Sequence, residues 1–333
     1  MKKTRPRRLA EEVREKVILL HQQGMLQKDI AVEVGIAPSS VCRVLAAANP
    51  HIEALISKDF EIVPRSAPSP AISLPPMPKL SNRTERWLIL PDMQIPYHDE
   101  RSIKAVLSYA RTVKWDGCIQ LGDFMDWDWI SKWTKDNQRK VEGTRFLSEY
   151  ATANAVLTEI QEAVRALNPK CQITILEGNH DWRVENVVDK TPALEGLIEM
   201  ERGLELKDRK ITYWRYWSHR RPYIIGNAWF IHGEYIGNNH AKKTADSFHR
   251  NVFYGHTHDR MSATKTTAFG DSVQCESMGT LSRFDLEYMG HKPSNWMQCF
   301  GEFFFRPDGN FNHYVTNVID HGFTAIDGQY YKG

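Results

Sequence analysis

The sequence predicts an α/β layered sandwich of mixed β-sheets flanked by helices, preceded by a small all-α head. Three observations predict it. From about residue 87 onward, short apolar runs alternate with stretches of helical periodicity. Residues 61–86 hold six prolines among serines, with little periodicity, and read as a semi-rigid linker. Before that linker, apolar spacing is helical and glycines mark the breaks. The domains expected are a head over 1–60, a linker over 61–86 and a body over 87–333.

In the head, Leu9, Val13, Val17 and Leu20 share one helical face, and Gly24 ends that helix. A second helix is expected over Gln27–Val34, with Ile30, Ala31 and Val34 inward. Gly35 supplies a tight turn. A third helix opens at Pro38-Ser39-Ser40, with Val41, Val44 and Leu45 apolar. Helix, glycine turn, helix is the geometry of helix-turn-helix modules. The run LQKDIAVEVGIAPSSVCRVL resembles the helix-turn-helix segments of bacterial and phage DNA-binding proteins. That resemblance implies DNA as a partner, with Ser39, Ser40 and Arg43 facing the major groove. A small helical interaction domain without DNA contact is the alternative. The first eight residues carry five Lys or Arg and no acid, which fits either a phosphate-touching arm or a solvated tail.

In the body, Trp87–Leu90, Gly117–Leu121, Gln172–Leu176 and Val252–Tyr254 read as strands. Ser102–Val113 and Phe146–Leu167 read as helices. Tyr223–Ile231 reads as a hairpin turned at Gly226-Asn227. Residues 261–279 and 299–317 look antiparallel, the last pair turning at Asp308-Gly309.

Composition narrows the classes. The chain has 333 residues, 25% charged and 41% hydrophobic, with a net charge of +2, values of a globular protein. The five cysteines are scattered and lack CxxC spacing, against a disulfide framework or thiolate zinc site. No signal peptide or membrane-length apolar run is visible, so a cytoplasmic setting without membrane association is expected. The oligomeric state is not legible.

Polar clusters sit just past the carboxyl ends of the apolar strands, where ligand sites of open α/β sheets gather. Five strands deliver Asp92 with Gln94, Asp123, Asn179 with His180, His232, and His256 with His258. Any one of these reads as an ordinary polar loop residue; five at strand ends read as one crevice. Carboxylate, amide and imidazole donors suit manganese, iron, zinc or nickel. Two such ions need a bridging carboxylate and together clamp phosphate oxygens.

Asp92-x-Gln94, Gly122-Asp123, Gly178-Asn179-His180-Asp181, His232-Gly233 and Gly255-His256-Thr257-His258, in that order, resemble the calcineurin-like metallophosphoesterase family over roughly residues 87–260. The resemblance implies a four-layer sandwich and two divalent ions, manganese foremost, with magnesium, iron, nickel or zinc also accommodated. It implies Asp92, Gln94 and His258 on the first ion, Asn179, His232 and His256 on the second, and Asp123 between them. It implies His180 near the leaving oxygen as general acid, oriented by Asp126. Asp181 is a second candidate for that orienting role, or a surface ion pair.

Two departures matter. Gln94 stands where the family has histidine, a weaker neutral ligand that favours manganese or magnesium over zinc; His98 is a possible substitute or a loop residue. Trp127 stands where the protein phosphatases of the family carry a phosphate-gripping Arg, which argues against a phosphoprotein substrate. Arg183 offers either a replacement charge or a structural ion pair. Trp127, Trp129 and Trp133 fit base stacking or plain packing, and packing is favoured. The helix Asn239–Arg250, with Lys242 and Lys243, frames a groove or is a solvated face. The function expected is a two-metal phosphoesterase, foremost a nuclease. The alternatives are a phosphatase or phosphodiesterase on small nucleotides or phosphoprotein, and a non-catalytic DNA-binding regulator.

Overall fold

The structure is a computed structural model. It describes residues 11–23, 25–37, 40–41, 44–45, 75–131, 145–266, 270, 272–285 and 294–333. The chain divides into two compact units, Met1–Ser73 and Leu74–Gly333.

In the first unit, α1 spans Glu11–Gln22 and α2 spans Gln27–Val34. Residues 40, 41, 44 and 45 are also helical. Gly35 is left-handed, φ 69°, and its N–H returns to the end of α2. A side chain there would be strained, so glycine sets the corner. Val17, Ile30, Ala31, Val41 and Val44 form one buried cluster, as the helical spacing predicts. Leu9, Gly24, Pro38, Ser39 and Arg43 lie outside the described residues; Ser40 is half-buried and helical.

The second unit holds two large sheets. The strands of the first are β1 (Glu85–Leu90), β2 (Gly117–Gln120), β3 (Gln172–Leu176), β4 (Ile211–Trp214), β10 (Cys299–Phe305) and β11 (Phe311–Asn317), in the order β11-β10-β1-β2-β3-β4. β1 to β4 are parallel, while β10 and β11 run antiparallel. The second sheet has the order β5-β6-β7-β9-β8, from β5 (Tyr223–Ile225), β6 (Ala228–Ile231), β7 (Asn251–Tyr254), β8 (Ser262–Thr266) and β9 (Ser272–Ser277). β6, β7 and β9 are parallel, and β5 and β8 are antiparallel edges. The expected hairpin turns at Gly226-Asn227, with Ile225 paired to Ala228. A small ribbon, β12 (Gly322–Thr324) with β13 (Tyr330–Lys332), completes the strands.

Alternation on β1 explains the layers. Trp87 and Ile89 join Phe230, Phe253, Phe303 and Phe305 in the core between the sheets. Leu88 and Leu90 point the other way, toward α3 (Glu100–Ala110) and α4 (Phe146–Arg165). There they meet Ile103, Val106, Leu157 and Ile160. α6 (His240–Phe248) packs on β7, β8 and β9. Helices, sheet, sheet, helix: the four-layer sandwich follows from two-sided apolar strands that must be covered on both faces. α5 (Trp182–Lys190) follows β3.

The linker reading runs too far. Glu85 and Arg86 already pair with Phe305 and Phe304 in β1. Met77 and Leu80 pack on the inter-sheet core, because apolar residues interleaved with prolines still bury where a sheet edge offers room. Residues 61–74 lie outside the described residues.

Candidate metal centre

The carboxyl ends of β1, β2, β3, β6 and β7 meet at one edge. Loops leaving them carry Asp92, Asp123, Asn179, His232 and His256. Two glycines make that approach possible. A Cβ on Gly178 would collide with the Asp123 carboxylate, and one on Gly255 would collide with that of Asp92. Gln94, Asp123, His256 and His258 all have positive φ, a strain that the surrounding structure must hold and that gathers at functional sites.

The loops are tied to one another. The N–H groups of Met93 and Gln94 donate to the Asp123 carbonyl at 3.2 and 2.9 Å. Asp181 is fully buried and accepts from the N–H groups of Phe124, Met125 and Gly178 at 3.3, 3.0 and 2.9 Å. It is therefore neither the orienting acid of His180 nor a surface ion pair; it pins the β2 loop to the β3 loop. Burial, then the charge of Asp123, pushes its carboxyl up to about 7.

Two donor groups result. Ligand atoms of Asp123, His232 and His256 lie within 4.8 Å of one another, and so do those of Asp92, Asp123 and His258. Asp123 belongs to both. Asn179 Oδ1 is 2.9 Å from His232 Nε2, which is 3.2 Å from Asp123 Oδ2. His258 Nε2 is 3.1 Å from Asp92 Oδ2. Gln94 Nε2 is 3.2 Å from His258 Nε2, so a half-turn of the amide brings Oε1 to the same place. His98 is buried but belongs to neither group.

The residues fit a pair of cations. His232 Nδ1 faces the Leu121 carbonyl at 3.0 Å, so Nδ1 carries the proton and Nε2 is the lone-pair end. That lone pair then faces Asn179 Oδ1 and Asp123 Oδ2, both acceptors. A cation or an added proton reconciles the three, whereas a half-turn of the Asn179 amide would satisfy that residue alone and leave Asp123 Oδ2 facing the lone pair. The buried Asp92 Oδ1 has no hydrogen-bond partner, which is costly unless a cation takes it. Without metal, a proton is the only answer. Burial lowers the His232 imidazole, but Asp123 outweighs it and holds it up at about 9. Burial and neighbouring His232 push His256 down to about 4. Burial opposes ionisation of Asp123, yet His232 and His180 keep it well below the usual carboxylate range.

His180 stands beside this pair. Its N–H donates to Asp123 Oδ1 at 2.8 Å. Its Nδ1 lies 2.6 Å from Asp126 Oδ1 and 3.1 Å from the Asp126 carbonyl, both acceptors, so Nδ1 carries hydrogen. Arg183 donates to the Asp126 carbonyl at 2.7 Å, and its Nη2 is 3.1 Å from His180 Nε2.

Trp127 is fully buried against Phe146 and Tyr150, and Trp129 packs on Phe146, so these two serve packing. Trp133 lies outside the described residues. Lys242 and Lys243 are exposed on α6. Sequence reasoning missed the wall of the site. Trp217 has its ring centroid 5.8 Å from His256 and 6.0 Å from His232, and Trp296 lies 4.2 Å from His258. Neither belongs to a motif, so only the fold reveals them.

Fold and site together define a layered α/β sandwich with two metal-donor groups at one sheet edge, preceded by a helical head. Residues 5–48 match the family model of the helix-turn-helix domain of resolvase. The chain is 25% identical over 265 residues to the Gene 54 protein of Mycobacterium phage D29, covering 75% of this chain and 99% of that protein. It is 28% identical over 237 residues to the Gene 54 protein of Mycobacterium phage L5, covering 65% and 88%. Similar solved structures include Vps29 from Cryptosporidium parvum, at 12% identity and TM-score 0.37, covering 75% of this chain and 96% of that one. Vps29 complexed with Zn2+ from Entamoeba histolytica matches at 13% identity and TM-score 0.35, covering 74% and 97%. No helix among the described residues is long and apolar enough to cross a membrane.

Proposed function

We propose that this chain is a two-metal phosphoesterase that cleaves phosphate ester bonds in nucleic acid. The observation that carries the proposal is the pair of donor groups sharing Asp123. In this reading Asp92, Gln94 and His258 would hold one ion, Asn179, His232 and His256 the other, and Asp123 would serve both. Two divalent ions there would supply the charge that clamps phosphate oxygens and makes water acidic enough to attack. The neutral amide of Gln94 in place of imidazole favours manganese over zinc.

The chain's own residues do the rest. His180 would serve as general acid in its doubly protonated form, giving the Nε2 proton to the leaving oxygen while Asp126 holds Nδ1–H and fixes the ring. Arg183, braced by Asp126, lies beside the same ring and would turn its guanidinium to the negative charge developing on the leaving oxygen once Nε2 carries its proton. The head, with Ser39, Ser40 and Arg43 as the base-reading residues, raises the local concentration of DNA at the site. The domain organisation we propose is a head over 1–60 and a body that begins by β1. The phage relatives support a setting inside an infected bacterial cell.

The test is incubation of purified protein with manganese and end-labelled DNA in single- and double-stranded forms. Cleavage that chelator abolishes is the expected result. Absence of cleavage, with hydrolysis of p-nitrophenyl phosphate, would move the assignment to a small monoester.

A further inference from the structure

Arg220 ends a four-residue helical turn, Tyr216–His219, with a left-handed backbone, φ 52°. Its guanidinium carbon lies 4.1 Å from the centre of the Trp217 ring. That ring in turn leans on His256 and His232. Nη1 of Arg220 donates to both carboxylate oxygens of Glu234, each at 2.9 Å. Glu234 follows His232 by two residues and also accepts from the Tyr216 hydroxyl. So a cation is fixed by an aromatic face and a carboxylate, one ring away from the metal ligands.

The arrangement spends a single terminal nitrogen on Glu234. The Tyr216 hydroxyl also lies against the guanidinium, and the half-exposed side chain turns an edge of the fork to solvent. That edge is the part of guanidinium that matches two phosphate oxygens. Glu234 offsets one positive charge here, and the neighbouring Arg221, lying over the Trp214 ring at 4.9 Å, adds another. A rigid, pre-stacked guanidinium loses little rotamer freedom on gripping an anion, which is how affinity is gained cheaply.

We propose that Arg220, seated on Trp217 and braced by Glu234, binds a phosphate next to the one being cleaved in a nucleic-acid strand. The proposal rests on the phosphoesterase reading and extends it from the reacting phosphate to its neighbour. It gives the site a preference for a strand over a compact ester, because a compact ester has no second phosphate to reach Arg220.

The experiment compares full-length wild type with Arg220→Ala on a labelled single-stranded oligonucleotide and on bis(p-nitrophenyl) phosphate, both with manganese. The ratio of kcat/KM for the oligonucleotide to that for the small diester is expected to fall about tenfold, mostly through KM, as for loss of one charged contact. Arg220→Lys recovers only part of that ratio, because a point charge neither stacks nor forks. Glu234→Gln keeps the guanidinium but loosens it, and gives a smaller drop of the same sign. Independently, the slope of log Kd against log salt for oligonucleotide binding shrinks by about 0.7 in Arg220→Ala. An unchanged ratio together with an unchanged slope overturns the proposal. Should wild type hydrolyse neither substrate, the phosphoesterase reading falls, while the salt slope still decides whether Arg220 contacts a phosphate.

Discussion

His232 and His180 use their rings in opposite senses, and each sense is fixed by what faces Nδ1. The Leu121 carbonyl takes Nδ1–H of His232 at 3.0 Å, leaving Nε2 to a cation. Asp126 takes Nδ1–H of His180 at 2.6 Å, leaving Nε2 for proton transfer. Two outcomes follow at this scale. In the metal-free site Asp123 holds His232 up at about 9, so below that pH binding of an ion must expel a proton. Affinity for manganese should therefore climb with pH and level off above about 9. Titration calorimetry in buffers of different ionisation heat should find close to one proton released at pH 7.5 and almost none at pH 9.5; no release at pH 7.5 contradicts the assignment. For His180→Ala, kcat should fall by about 10²–10⁴ with metal content near that of wild type by elemental analysis. Loss of metal instead would make His180 a ligand. The donor residues were legible in the sequence because each stands in a short motif past an apolar strand. Asp181 and Trp217 were not, since one works through backbone N–H groups and the other through its position alone.

The elements that matter most are the loops after β1, β2, β3, β6 and β7. They approach so closely that a methyl group at position 255 would overlap the Asp92 carboxylate. Gly255→Ala should accordingly weaken metal binding and destabilise the body by about 1–3 kcal/mol; denaturant unfolding with and without manganese measures both. α4 supplies a pH effect of its own. Burial pushes the Glu149 carboxyl in its first turn up to about 7, and Asp128 and Asp126 push the same way. An acid whose pKa is raised by folding weakens the folded state as pH rises from its ordinary value through about 7. Glu149→Gln should thus raise Tm at pH 8 by roughly 2–4 °C and change it little at pH 4.5; equal shifts at both would point to packing rather than charge. The long helices and the strands of β1, β2, β3 and β7 were legible from periodicity. β4, β12 and β13 were not. Each is only three or four residues long, and β4 follows a charge-rich stretch in which helical and extended patterns compete.

For the whole chain, the two units make separable contributions. Removing residues 1–73 should weaken DNA binding and flatten its salt dependence while the rate on bis(p-nitrophenyl) phosphate stays within about twofold, because each unit has a hydrophobic core of its own. A matching loss on both substrates would mean the head supports the body's fold. Chelator should lower the Tm of the body by at least about 5 °C, since ions bind only the assembled loops; an unchanged Tm would leave the donor groups without a metal. The helical pattern of the head's described residues, the α/β alternation and the order of the donor motifs were all set by local sequence. Local sequence suffices there because apolar period and residue chemistry act within a few neighbours. Only the tertiary structure decided that Asp181 faces inward to backbone N–H groups, that Trp217 and Trp296 wall the site, and that Arg220 lies one ring from His256. Those relations join residues tens of positions apart in the chain, 57 for Phe124 and Asp181, and only the packed sheets and the loops they hold bring them together.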